Sequence, residues 1–241
     1  MKKLSITAIF TAMICAAFAA VPAPVLDLKC NAGDFAALQD ISANKSAVKV
    51  YNQSMISWAE GPAGKTLEFK NNTDPKGRTR AAIEVKAPAS LNISKGFTVL
   101  FNFKTPSDYQ YKRRYQLLHF AQGADKLTGI SLFVYWRSIM FRYGENSRTG
   151  IASKAAALPM RPDSWYEVAV TFDGKKVALY INGALAAEAD NAVIPMPNVR
   201  RNAINIGATS ASGAGYGFDG LISKVQIYDR ALTADEIADM E

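Results

Sequence analysis

Histidine occurs once in this sequence and cysteine twice. A zinc centre needs several nitrogen and sulfur ligands, and no Cys/His cluster supplies them. Cys15 falls in an N-terminal leader, which leaves Cys30 alone. One cysteine makes no intramolecular disulfide, so the fold must be held by its core. Cys30 is expected to be a half-buried, inert thiol; a mixed disulfide with a partner is the alternative. Internal repeats, low-complexity tracts and long linkers are also missing, and helical periodicity is scarce. No strand carries the alternating acidic residues that place two carboxylates on one face, so hydrolysis by a carboxylate pair is not indicated. Glu84 and Glu167 each stand alone on their strands. No recognised nucleic-acid motif is present.

What is present begins with an address. Lys2 and Lys3 precede an uncharged stretch from Leu4 to Ala16, and Ala17-Phe18-Ala19 supplies a small-x-small pattern. This reads as a secretory signal over residues 1–20, too short to span a membrane and followed by no stop-transfer pattern. Cys15 raises a lipoprotein alternative, which Ile14 before it disfavours. Residues 21–241 are then expected to form one exported domain, secreted, periplasmic or at the cell surface, with no membrane span once the leader is removed. The formal charge of +7 becomes +5 without Lys2 and Lys3. A modest basic balance outside the cell suits acidic polysaccharides or anionic surface polymers.

Strand signals dominate the rest. Phe97–Phe103 is β-branched and aromatic, and Gln116–Phe120, Ile130–Trp136 and Ile139–Tyr143 follow, with Arg137-Ser138 as the expected tight turn. In Trp165–Phe172 the side chains of Tyr166, Val168, Val170 and Phe172 share one face. Asp173-Gly174 and Asn182-Gly183 are hairpin signals because these residues tolerate positive φ. Leu185–Ala189, Ala203–Ile206 and Leu221–Tyr228 complete the set. Thr233-Ala234-Asp235-Glu236 has capping-box spacing and predicts a short helix to Met240. Asp34–Asp40 is a candidate second turn of helix. Many short strands between turn residues predict an all-β sandwich.

Several of these segments resemble a known family. Asp163–Gly174 (DSWYEVAVTFDG), Val177–Gly183 (VALYING) and Phe218–Leu232 (FDGLISKVQIYDRAL) are similar to signature strands of the laminin-G-like jellyroll domain, within the concanavalin A-like lectin/glucanase group. Gly64–Phe69 and Leu91–Phe103 resemble its early strands. The resemblance extends over about residues 27–241 and is strongest beyond 160. It implies a two-sheet antiparallel jellyroll with a short C-terminal helix that binds glycans or proteins. These are core and turn residues, so they say more about fold than function. The resemblance also implies a structural calcium site, for which Asp40 and Asn44 are the candidate loop ligands; Ser223 and Lys224 stand where an acidic residue is usual. Lyases on related jellyrolls use Arg, His and Tyr, for which His119, Arg78 and Arg80 are the only matching residues.

Two segments suggest a binding surface. If Leu132, Val134, Ile139 and Phe141 point into the core, Phe133, Tyr135, Met140 and Arg142 point away from it. The connection Ser107–Tyr115 interleaves Tyr109, Tyr111 and Tyr115 with Lys112, Arg113 and Arg114. Aromatic rings stack on sugar rings, and arginine pairs with carboxylates. Tyr109, Tyr111, Arg113, Tyr115, Tyr135 and Arg142 are therefore the candidate ligand contacts. Non-catalytic recognition of a carbohydrate or cell-surface glycan is the favoured function. A polysaccharide lyase or hydrolase, and a protein-binding or structural surface module, remain open. Ser212–Gly217 is read as a flexible turn, with Tyr216 a further rim candidate.

Overall fold

The computed structural model describes residues 21–71, 79–122, 128–144, 149–153, 159–197, 202–210 and 215–240. The leader expected over residues 1–20, and Arg78, lie outside them. Chain order runs through β1 (Leu26–Leu28), β2 (Val48–Tyr51), β3 (Ile56–Gly61), β4 (Gly64–Lys70) and β5 (Ala82–Lys86). Next come β6 (Phe97–Lys104), β7 (Tyr115–Gln122), β8 (Thr128–Tyr135), β9 (Ser138–Gly144) and β10 (Gly150–Ala152). The last are β11 (Trp165–Phe172), β12 (Val177–Ile181), β13 (Ala184–Ala189), β14 (Ala203–Ile206), β15 (Asp219–Tyr228) and the helix α1 (Ala234–Ala238).

The strands form two antiparallel sheets, as expected for the all-β sandwich. One runs β13-β12-β11-β6-β15-β4-β3, with β1 added beside β15; the other runs β10-β9-β8-β7-β14-β5-β2. Between them lies a core of alternating inward residues. Phe97 meets Phe141 across the two sheets at 6.1 Å between ring centroids, and Phe218 meets Phe69 and Phe103 at 6.2 and 5.9 Å. Tyr166, Val168, Val170 and Phe172 all enter this core, as their period-two spacing requires. Cys30 is fully buried in it rather than half-buried, and burial pushes its thiol well up.

The hairpins expected at Asp173-Gly174 and Asn182-Gly183 both form; the first differs in length and the turn between β8 and β9 in position. Asn182 and Gly183, at φ 48 and 70, link β12 to β13 in two residues. Asp173-Gly174 is instead part of a four-residue connection, because the Asp173 carboxylate accepts hydrogen bonds from the N–H groups of Lys175 and Lys176 and winds the chain further. The turn between β8 and β9 is Trp136-Arg137, not Arg137-Ser138; Tyr135 pairs with Ser138, and Trp136 and Arg137 sit at φ 51 and 61. Neither is glycine, and positive φ at such residues costs on the order of 1–3 kcal/mol each.

The two outer faces meet different fates. The C-terminal helix has the predicted capping box between Thr233 and Glu236. Its Ile237 packs with Leu232, Leu100, Ala169 and Tyr228 on the outer face of the eight-stranded sheet. Thr98 fixes the approach, donating to the Arg230 carbonyl and accepting from the Leu232 N–H. The 34–40 segment forms only a 3₁₀ turn, Phe35–Ala37, capped by Asp34. Among the described residues no helix is long and apolar enough to cross a membrane.

Asn71, immediately after β4, is fully buried. Its amide nitrogen donates to the carbonyls of Ala81, Gly207 and Phe218, and its side-chain oxygen accepts from the Ala81 N–H at 2.6 Å. Ala81 and Gly207 adjoin strands of one sheet and Phe218 adjoins a strand of the other, so one amide ties both layers. Replacing it by alanine strips buried backbone groups of partners, each worth about 1–3 kcal/mol. Asn71→Ala should therefore lower unfolding free energy by about 4 kcal/mol in urea melts. Asn71→Asp should be nearly as damaging, since it keeps the acceptor and loses the donors.

Candidate functional site

A bulge in β7 sets up the outer face of the seven-stranded sheet. Leu117 is the extra residue between Gln116, opposite Phe133, and Leu118, opposite Leu132. Both leucines thereby enter the core, and Gln116 and His119 both face outward. Cross-strand pairing then lines up Arg142, Ser131, His119, Asn205, Glu84 and Lys49 in one row over six strands.

Above this row lies a groove of about 520 Å³. Five cations line it: Arg80, Lys112, Arg113, Arg114 and Arg142. Phe133, Tyr135 and Tyr216 supply its aromatic walls, and among the described residues no acidic side chain lines it. Arg114 is the central cation. Its guanidinium lies 3.7 Å over the Phe133 ring and 4.5 Å from the Tyr216 centroid. It donates to Gln116 Oε1 at 2.8 Å and to Ser131 Oγ at 3.2 Å. Gln116 is locked in turn by its own donation to the Leu118 and Leu132 carbonyls. Among the described residues Arg114 has no carboxylate partner. Burial, followed by repulsion from Arg142, pulls its pKa down to about 10. Desolvating a cation without a counter-charge is costly, and an incoming anion would relieve that cost.

Tyr216 is held over Arg114 by its neighbours. Its N–H donates to Thr209 Oγ1, its carbonyl accepts from the Thr209 N–H, and Arg80 Nε donates to the Gly215 carbonyl. A Cβ on Gly217 would lie 2.7 Å from both Arg80 and Asn71, so only glycine permits this approach. Residues 215–217 of the expected turn are thus tied down by these bonds; 212–214 lie outside the described residues.

The six candidate contacts separate. Arg113, Tyr135 and Arg142 line the groove. Arg113 also forms an ion pair with Asp219 at 2.9 Å. Tyr115 is buried in the core, and its hydroxyl accepts from the Gln110 N–H. Tyr109 packs on it at 5.1 Å between ring centroids, and burial raises its pKa to about 12. These two tyrosines shape the loop rather than face the groove. Tyr111 is exposed beside Trp136. Phe133 was legible as outward-facing, but the pairing of Arg114, Arg80 and Tyr216 joins segments over a hundred residues apart.

His119 is 6% exposed and does not line the groove. Its Nδ1 lies 3.3 Å from Ser131 Oγ. Burial, then the Arg114 charge, lowers its pKa to about 4. In the loop expected to hold calcium, Asp40 Oδ1 accepts from the N–H groups of Asp27 and Ser42, and Oδ2 from that of Ser46. Burial raises the Asp40 pKa, but these bonds outweigh it and leave the carboxyl below its usual value. Asn44 donates its amide to the Val25 carbonyl. Calcium takes six to eight oxygens, and an ion here would have to share Asp40 with three N–H groups. Among the described residues no three His, Cys, Asp or Glu side chains cluster as metal ligands. Ser223 is the bulged residue of β15, and Lys224 pairs with Glu167 at 3.2 Å.

A second cavity of about 360 Å³ lies at the end of β6. Its charges are largely paired within the protein, Lys104 with Asp163 at 2.7 Å and Lys70 with Glu68 at 2.9 Å.

A family model described as the concanavalin A-like lectin/glucanases superfamily matches residues 77–238, two thirds of the chain. No curated protein matches significantly. Among solved structures, the botulinum neurotoxin serotype D/C binding domain has a TM-score of 0.67 at 15% identity, over 90% of this chain and 51% of that one. The serotype D ligand-binding domain solved with N-acetylneuraminic acid gives 0.63 at 16%, over 90% and 50%. The DC binding domain solved with rat synaptotagmin II gives 0.65 at 15%, over 90% and 51%. This chain thus spans about half of each, and at these identities the likeness establishes the fold alone.

The buried neutral His119 has a pH signature. The unfolded state takes up a proton near pH 6.5 and the folded state only near 4, so folding stability falls as pH drops between those values. The loss attributable to this group is about 3 kcal/mol. Urea melts of wild type and His119→Gln from pH 7 to 4 should show a gap that narrows or reverses as the solution is acidified.

Proposed function

The chain belongs to the concanavalin A-like lectin/glucanase superfamily, and we propose that it is an exported binding module that recognises an acidic carbohydrate in the groove over its seven-stranded sheet. One observation carries the reading: Arg114 is held between two aromatic rings, desolvated, with four further cations around it and, among the described residues, no acid on the groove wall. Guanidinium groups fixed in this way pair with carboxylate or sulfate, and the aromatic walls accept the apolar face of a sugar ring. That a domain of similar fold was solved with N-acetylneuraminic acid is consistent with the ligand class. The leader Lys2–Ala19 supports export. A protein partner is the second reading, in keeping with the synaptotagmin complex of another structure of this fold.

A glycan and polysaccharide binding screen on the protein from Ala20 tests this, with product release followed in the same wells. Binding without turnover is the expected result; new unsaturated or reducing ends would put a lyase or hydrolase first. Tyr135→Ala combined with Arg142→Ala should weaken binding at least about tenfold without lowering the melting temperature. Affinity should fall as ionic strength rises and the screening length shrinks from about 30 Å at 0.01 M to about 8 Å at 0.15 M. A structural calcium ion at Asp40 and Asn44 belongs to the proposal as an EGTA arm; a melting temperature or affinity that drops on chelation supports it.

A further inference from the structure

Two hairpins of this chain solve the same backbone problem with different residues. Between β12 and β13 the two positive-φ positions are Asn182 and Gly183; between β8 and β9 they are Trp136 and Arg137. Asn and Gly take that conformation with least strain, and a bulky aromatic residue takes it with most. The strained pair is held in place from several sides. The Trp136 N–H donates to the Tyr111 carbonyl at 2.8 Å, and the Arg137 carbonyl accepts from the Met160 N–H at 3.1 Å. The Trp136 indole meets Tyr135 edge-on at 5.8 Å and Tyr111 at 6.0 Å, and Arg137 lies 4.8 Å over Tyr111. Despite these contacts Trp136 is 51% exposed and Tyr111 40%. Strain maintained to present half an indole to solvent is a mark of use rather than of packing.

The platform adjoins the groove. Tyr135 lines the groove and also touches Trp136. Along β8 the outward residues Ser131, Phe133 and Tyr135 cover about 13 Å at the usual strand rise, with Arg142 opposite Ser131 and Trp136 just beyond Tyr135. Cations at the groove, then aromatic rings, then Arg137 at the tip repeat the alternation of charge and flat apolar face found along an acidic polysaccharide. We propose that Tyr111, Tyr135 and Trp136 form a second subsite that stacks a sugar ring of an anionic oligosaccharide whose acidic group sits in the groove. The ligand is then longer than one residue. This rests on the groove reading above.

Calorimetric titrations of tetragalacturonate, galacturonate and tripolyphosphate into wild type, Trp136→Asn and Arg142→Gln separate the two. Asparagine is the residue the chain already uses at this conformation in the other hairpin, and the tetramer-to-monomer affinity ratio does not depend on the fraction folded. Trp136→Asn should lose about tenfold for the tetramer and nothing for galacturonate or for tripolyphosphate, which has no ring to stack; Arg142→Gln should weaken all three. A tetramer that binds wild type no better than the monomer, or Trp136→Asn as well as it binds wild type, overturns the platform and leaves the groove standing. Loss with Trp136→Asn but not with Arg142→Gln overturns the groove and leaves the platform. No binding of either sugar to wild type overturns both.

Discussion

The hydrogen-bonding of Asn71 is the constraint from which the rest of the site follows. A fully buried primary amide has to satisfy both donors and its acceptor inside the protein. Here it does so on backbone groups adjoining strands of both layers. The main chain of Asn71 then accepts from Arg80 Nη1 at 2.9 Å, and its side chain leaves room only for glycine at 217. Arg80 reaches on to Gly215, and Tyr216 is carried over Arg114. A packing detail between two sheets thus becomes the roof of a groove on the outer surface of one of them.

The groove and the hairpin beside it hold free energy in different forms. At Arg114 it is electrostatic: a guanidinium removed from water, stacked on rings and bonded to the neutral acceptors of Gln116 and Ser131, beside another arginine that repels it. At Trp136 it is conformational: two non-glycine residues kept at positive φ by hydrogen bonds and ring contacts. Both depart from what would stabilise the fold best, and they lie close together along β8, Arg114 over Phe133 and Trp136 just beyond Tyr135. The remaining surface follows ordinary rules. Lys104, Lys70 and Lys224 pair with acids, and the C-terminal helix covers part of the outer face of the other sheet around Leu100, Ala169 and Tyr228.

Much of the architecture was legible in the sequence because a strand buried on one face must alternate. That rule identified Tyr166, Val168, Val170 and Phe172, and it divided Leu132 and Val134 from Phe133 and Tyr135. Capping chemistry is equally local, so Thr233 and Glu236 could be read directly. Two turns differ from expectation, one in length and one in position, for physical reasons. The Asp173 carboxylate bonds two N–H groups and lengthens its turn. At Trp136-Arg137 the chain accepts strain that no propensity favours. The bulge at Leu117 left a trace, two adjacent leucines between two polar residues, which alternation alone does not interpret.

The site was legible only in part. Sequence marked the basic, aromatic loop and the outward face of the hairpin, because residue type and spacing along one strand suffice for that. It could not show that Tyr109 and Tyr115 turn inward, since a tyrosine between basic residues fits a core edge as well as a surface. Nor could it bring Arg80, Arg114 and Tyr216 together. Sequence by itself determined the sandwich, its strands and a cationic, aromatic surface, since these follow from local periodicity and composition. Tertiary structure alone decided which cation has no counter-charge among the described residues, because that depends on the groups three distant segments place around one guanidinium once water is excluded.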